Sequence, residues 1–229
     1  NPFPSICGRV CNHRCEDACS RNEVGVAPVN IMGLKRFVTD WAMAHPDEVL
    51  DAGIGSPHPG VLVPAPSEKH VAIIGSGPAG LAFAGDMAKM GYDVTVFEAL
   101  HEIGGVLKYG IPEFRLPNSI VDVEIDVLEQ MGVKFVKNFI VGATASIEDL
   151  KKEGFEAFMV GSGAGLPNFM HIPGENYIGI YSSNEYLTRV NLMNAADPEY
   201  DTPVISGKRV AVIGGGNTAM DAVVGQNDK

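Results

Sequence analysis

The sequence predicts an α/β protein: a doubly wound, dinucleotide-binding domain preceded by a mainly helical, cysteine-bearing segment. Three observations predict it. The apolar run Val71-Ala72-Ile73-Ile74 leads straight into Gly75-Ser76-Gly77-Pro78-Ala79-Gly80, the strand-to-glycine-loop order on which such domains open. A second run, Arg209-Val210-Ala211-Val212-Ile213, leads into Gly214-Gly215-Gly216-Asn217-Thr218-Ala219. Four cysteines, Cys7, Cys11, Cys15 and Cys19, stand ahead of both at every fourth position.

The elements follow in chain order. Residues 1–29 are punctuated by Cys and Pro and show little periodicity, which predicts irregular structure with one helical turn. Asn30 is a helix N-cap, followed by Ile31, Leu34, Phe37, Val38 and Trp41 at helical spacing and by Pro46 beyond the end. That spacing predicts an amphipathic helix with Trp41 in the core. Residues 53–66 hold three Gly and four Pro, a linker composition. Strand 71–74 is short and fully apolar, as in a buried parallel sheet. A helix over 81–90 stops at Gly91, and Val94-Thr95-Val96-Phe97 is the next strand. Residues 119–131 read as a helix closed by Gly132, then 134–136 as a strand. Ser146 with Asp149 forms a capping box ahead of a short helix with a solvated end at 151–153, and 157–160 is a strand. Strand 209–213 restarts the pattern. The expected organisation is a partial helical segment over 1–52, a linker over 53–69, a first nucleotide domain over 70–207 and the start of a second over 208–229.

Bulk properties exclude several classes. A chain of 229 residues with 45% hydrophobic content is long enough to bury a core. Its 17 Lys and Arg against 28 Asp and Glu give −11, which argues against a nucleic-acid surface. No apolar run reaches the ~20 residues of a membrane span. Asn1-Pro2-Phe3-Pro4 lacks the charged and apolar regions of a secretory signal, so the expected compartment is the cytoplasm. The chain has no initiator Met and runs about one helix past the second glycine loop. A βαβ unit needs ~30 residues, so a piece of a longer polypeptide is expected.

The glycine loops explain themselves chemically. Gly75 permits the tight turn off the strand, Gly77 lets the backbone approach a pyrophosphate, and Gly80 lets the helix pack close to the sheet. The pyrophosphate rests at the helix N-terminus, opened by Pro78 and Ala79, where unpaired N–H groups point. Glu98 follows the second strand 18 residues after Gly80, placed to accept hydrogen bonds from a ribose. In the second loop Ala219 replaces the third glycine. Composition does not decide which dinucleotide the first loop holds.

The next segment bears on that choice: Gly104-Gly105-Val106-Leu107, then Gly110-Ile111-Pro112-Glu113-Phe114-Arg115-Leu116-Pro117. Here the chain resembles the small (β) subunit of glutamate synthase. It is also similar to the flavin- and NADPH-binding region of dihydropyrimidine dehydrogenase and to related subunits of electron-transferring complexes. The resemblance implies FAD contacts from Glu98, Gly105, Val106, Leu107 and Arg115, and an adenine contact from the backbone around Val141. It also implies that the second loop, with Gly214, Gly216, Asn217, Thr218 and Ala219, opens an NADPH domain. NADPH over NADH rests on the resemblance alone. Asp221 either lines a nicotinamide pocket or lies on a helix surface.

On residue chemistry the four thiols suit an iron–sulfur cluster, structural zinc or buried free cysteines. His13 reads as a loop histidine. The resemblance implies that Cys11, Cys15 and Cys19 are 4Fe–4S ligands, with Cys7 ranked lower and further ligands from an upstream cysteine set. Relatives use Gln or Glu where this sequence has Lys35, and a protonated lysine cannot ligate iron.

The resemblance therefore implies a Rossmann-like FAD/NAD(P)-binding oxidoreductase subunit. It would pass electrons from NAD(P)H through FAD to iron–sulfur clusters and a partner, either a large amidotransferase subunit or another redox protein. The alternative is an FAD-binding relay or scaffold module without its own NAD(P)H oxidation. No catalytic residue is expected, because the cofactor carries the chemistry.

Overall fold

The computed structural model describes residues 3–51, 66–205 and 207–227. The linker expected over 53–69 lies almost wholly outside these. Four helices come first: α1 (Pro4–Val10), α2 (Arg14–Asp17), α3 (Ile31–Ala44) and α4 (Pro46–Asp51), with a 3-10 turn at Ser20–Val24 between α2 and α3. The N-terminal stretch is thus more helical than its composition predicts. Pro4 opens α1, where a missing N–H costs nothing. Phe3 and Ile6 are buried in the same apolar cluster as the sheet, and that burial supplies what local propensity lacks.

Helix α3 forms where expected, and the Asn30 side chain accepts from the Gly33 amide at 2.9 Å. Its apolar stripe is a different matter. Leu34 is 55% exposed, Phe37 67% and Trp41 40%, so Trp41 is not core; it stacks on His45 instead. The side of α3 that packs on α1 is set by a close approach. A Cβ at Gly8 would lie 2.9 Å from the Arg36 backbone, and Arg9 donates to Asp40 at 2.5 Å. Periodicity identified the apolar face but not which face the partner helix covers.

The sheet has four parallel strands, β1 (His70–Ile74), β2 (Asp93–Phe97), β3 (Lys134–Val136) and β4 (Phe155–Val160), in the order β3-β2-β1-β4. Between them run α5 (Pro78–Lys89), α6 (Val106–Tyr109), α7 (Asn118–Gln130) and α8 (Ile147–Lys152). Alternation along each strand sends side chains to two faces. Val71, Ile73, Val94 and Val96 pack with Leu81, Val121, Ile125 and Leu128 on one face. Ala72 and Phe97 pack with Leu150 and partly buried Phe139, Phe155 and Phe158 on the other. Both faces are covered, which is the doubly wound arrangement. Full burial of Leu81 stabilises by roughly 1.5–3 kcal/mol. The Ser146–Asp149 capping box that starts α8 is present as read.

Beyond β4 come α9 (Ser183–Leu187), a π-helical turn at Thr188–Leu192 and α10 (Asn217–Asn227). Tyr186, Leu187 and Ala222 form a small separate cluster there. The strand expected over 209–213 is absent. Those residues pair with no strand, and Ile213 is 75% exposed. A strand cannot satisfy its backbone alone, so among the described residues the apolar run stays outside the sheet.

Candidate functional site

The strand order reverses between β2-β1 and β4, so the chain leaves β1 and β4 in different directions at their carboxyl ends. A crevice opens at such a switch point, and the first glycine loop occupies it. Gly75 has φ of 102°, and a Cβ there would lie 2.5 Å from the Gly161 carbonyl oxygen. The loops after β1 and β4 therefore touch through glycine. A Cβ at Gly80 would meet the Gly75 oxygen at 2.0 Å, so α5 starts hard against the end of β1. Gly77 differs: nothing lies within 4 Å of its Cβ position. Open space above Gly77 adjoins the first-turn amides of α5, which have no carbonyl one turn back, an arrangement chemically suited to an anionic group. Pro78, the first helical residue, removes no donor that the helix needs.

One residue that the motif leaves unspecified organises the loop. Ser76 is fully buried. Its amide donates to Glu98 Oε2 at 2.9 Å and its hydroxyl to the same oxygen at 2.5 Å. The Gly104 amide donates to the Ser76 hydroxyl at 3.0 Å, and the Leu100 amide to Glu98 Oε1 at 2.8 Å. Glu98 is therefore buried and ties three segments together. Three protein donors leave a carboxylate roughly one of its four acceptor sites, room for a single ribose hydroxyl on Oε1.

The Gly104-Gly105 turn closes over this loop. Gly105 has φ of 55° and ψ of −129°, and its Cβ would lie 2.8 Å from Gly77 Cα. Val106 is partly exposed, whereas the Leu107 side chain joins the core, which leaves only the Leu107 backbone available to a ligand. Tyr109 sits in the same region. Burial first, and the Glu98 charge second, hold its phenol above the ordinary range, so it stays protonated. Nothing in the sequence pattern singled out Tyr109.

Val141 lines a cavity of about 460 Å³ with Ile74, Gly142, Ile147, Val160 and Ser162, at the carboxyl ends of β1 and β4. Its mainly apolar wall suits a flat heteroaromatic ring. Arg115 takes a partner unforeseen from sequence: Nη1 donates to Asp221 Oδ1 at 2.8 Å and Oδ2 at 2.6 Å. The Asp221 side chain is 7% exposed, so this aspartate is neither surface nor free.

The second loop is open. Nothing lies within 4 Å of Cβ positions at Gly215 or Gly216, and Gly214 has φ of 140°. Asn217 and Thr218 are exposed on the first turn of α10, while Ala219 is buried. A Cβ at Gly214 would sit 3.2 Å from Ala219 Cβ, a loop-to-helix approach at the same spacing as that between Gly75 and Gly80 in the first loop.

Cys11 and Cys15 are exposed, and Cys7 and Cys19 are half-buried. Backbone amides of Val29 and then Arg21 pull the Cys19 thiol below its ordinary value. Among the described residues no group of three or more His, Cys, Asp or Glu comes close enough to hold a metal ion. His13 bonds its amide to the Cys11 sulfur and its ring to the Cys11 carbonyl, as a loop residue does. No described helix is long and apolar enough to cross a membrane.

Comparison with known proteins adds to this geometry. Residues 69–224 match the family described as pyridine nucleotide-disulphide oxidoreductase. Residues 1–46 match one described as dihydropyrimidine dehydrogenase domain II, 4Fe-4S cluster. The β subunit of NADPH-Fe(3+) oxidoreductase from Geobacter sulfurreducens is 38% identical over 97% of this chain and 31% of its own length. The glutamate synthase [NADPH] small chain of Azospirillum brasilense is 34% identical over 97% of this chain and 45% of its own. Among solved structures, FprA from Mycobacterium tuberculosis in complex with NADPH superposes with a TM-score of 0.57 at 26% identity. It covers 69% of this chain and 36% of that one. The chain spans 31–52% of the length of the curated relatives it matches.

Proposed function

The chain belongs to the pyridine nucleotide-disulphide oxidoreductase family, and on that premise we propose that it is the nucleotide-binding part of an electron-transferring oxidoreductase subunit. NAD(P)H is the donor, FAD occupies the first glycine loop, and the cysteine-bearing segment lies on the acceptor side. FAD, when bound, takes a hydride and releases electrons singly. The carrying observation is the unobstructed space over Gly77 beside the buried Ser76–Glu98 pair. Each residue then has a task. Gly77 and Ala79 offer backbone amides to the diphosphate, Glu98 Oε1 accepts from ribose, the Val141 cavity takes adenine, and Val106 and the Leu107 backbone border the flavin. Gly214, Gly216, Asn217, Thr218 and Ala219 form the NADPH loop. The protein moves no proton in this scheme. It orients two nucleotides and keeps the first out of water.

Cys7, Cys11, Cys15 and Cys19 supply chemically suitable thiolates, yet they close no site among the described residues. No electron step is therefore assigned to them. The relatives are named as subunits or small chains, which supports a partner subunit as the electron acceptor. A cytoplasmic location is part of the same proposal.

A second reading has its own support. Residues 209–213 form no strand and Ile213 is exposed, as expected of a flavin-binding relay that does not oxidise NAD(P)H itself. Anaerobic mixing of the FAD-loaded protein with NADPH or NADH separates the two. Loss of the oxidised flavin's visible absorption supports the oxidoreductase. An unchanged spectrum with either nucleotide supports the relay.

A further inference from the structure

We infer that Asp221, on the helix after the second glycine loop, is a positioning residue for the flavin-site arginine, Arg115. The two lie 106 residues apart in sequence. Their ion pair is the only one among the described residues that ties α10 to the segment between α6 and α7.

The geometry is asymmetric in an informative way. Asp221 uses both carboxylate oxygens on a single guanidinium nitrogen, Nη1, at 2.8 and 2.6 Å. Among the described residues Arg115 makes no other side-chain hydrogen bond, so Nε and Nη2 carry no acceptor there. A guanidinium presents its five donors along fixed directions in one plane. Clamping one nitrogen against a carboxylate restrains that plane and leaves the opposite edge, two parallel N–H bonds, for another acceptor. That edge matches the paired oxygens of a phosphate group. The Arg115 side chain is 30% exposed while its clamp is 7% exposed. The carboxylate is thus the sealed member of the pair and the guanidinium the more accessible one.

Direction matters as well. A carboxylate as buried as Asp221 requires a partner, and Arg115 is its one described partner. Docking of α10 and alignment of Arg115 are therefore one event. Placement of the second-loop helix sets how well the first site grips the diphosphate of its dinucleotide. The inference rests on the reading of the first loop as a flavin site and of Arg115 as one of its contacts.

The test uses the full chain with FAD and NADP+ as separate probes, binding being followed by flavin fluorescence quenching and by difference absorption. Asp221→Asn keeps shape and removes the charge. It is expected to weaken FAD binding at least about tenfold, the worth of one charge-assisted hydrogen bond. Arg115→Lys keeps the ion pair but has no second edge. It is expected to hold the thermal midpoint near that of the unsubstituted chain while weakening FAD binding to a similar extent. FAD affinity within twofold of normal in Asp221→Asn, or in a folded Arg115→Lys, overturns the inference. So does weaker NADP+ binding with unchanged FAD binding, which assigns the open edge to the second loop. If the unsubstituted, folded chain binds no FAD, the flavin reading itself fails, and that result is recognisable before any variant is made.

Discussion

Replacing Gly77 with alanine separates binding from folding. Gly77 is extended, with φ of −69° and ψ of 178°, a conformation alanine adopts without strain. Its Cβ would meet no atom within 4 Å. Alanine is a poorer N-cap than glycine, by a few tenths of a kcal/mol upward. It also restricts the unfolded chain, which favours folding by about 0.4–1 kcal/mol. These effects oppose each other, so Gly77→Ala should change stability by less than about 1 kcal/mol. The diphosphate is another matter, since the added methyl enters the space proposed for it. Displacing it from two backbone amides forfeits two hydrogen bonds to a charged group, together about 3 kcal/mol, or on the order of 100-fold in Kd. Urea denaturation gives the first quantity and FAD fluorescence titration the second. Near-normal flavin affinity in this variant would refute the assignment of that space to a diphosphate. A large loss of stability would refute the claim that a Cβ at Gly77 meets no neighbour.

Gly105→Ala should instead destabilise by about 3 kcal/mol or more, because it combines a glycine-only backbone region with a 2.8 Å approach to Gly77 Cα; a denaturation midpoint unchanged from the parent would contradict this. Ser76→Ala removes the hydroxyl between Glu98 and the Gly104 amide. The expected cost is about 2–3 kcal/mol in urea denaturation, with weakened FAD binding as the loop and the Gly104 turn separate. Glu124 gives a pH signature. Its Oε1 accepts from the Ser5 amide at 2.6 Å, and Oε2 is buried with no hydrogen-bond partner among the described residues. Burial holds its carboxyl above the ordinary range, against the opposing Ser5 and Ile6 amides and the Arg9 charge. The folded state thus binds this proton more tightly than the unfolded chain. Stability is lost as pH rises from the unfolded value of about 4.3 through the folded one. Thermal midpoints measured against pH should show Glu124→Gln gaining on the parent across that window and matching its trend below it. A gap that does not change with pH would remove the argument.

The first nucleotide loop was legible because its information is local. An apolar strand, three glycines and an acid after the next strand are consecutive constraints, and the structure places Gly75, Gly80 and Glu98 as that order requires. Ser76 was missed because the motif leaves its position open, although a small hydroxyl residue beside a strand-end acid is a signal that could have found it. The exposed stripe of α3 shows a different limit. The spacing of Leu34, Phe37 and Trp41 identifies an apolar face but not its cover, and α1 docks on another side through Gly8. The run 209–213 has the composition of a strand but finds no neighbour to pair with. The Arg115–Asp221 pair spans 106 residues and has no local signature. Residues 4–10 fold into a helix largely because Phe3 and Ile6 reach the nucleotide domain's core, a tertiary effect that composition does not carry.

The central claim is most directly tested by a crystal structure of the chain grown with FAD. The account predicts diphosphate oxygens within about 2.7–3.2 Å of the amide nitrogens of Gly77 and Ala79, with adenine against Val141. Flavin bound elsewhere, or this crevice empty in a folded chain saturated with FAD, would contradict it.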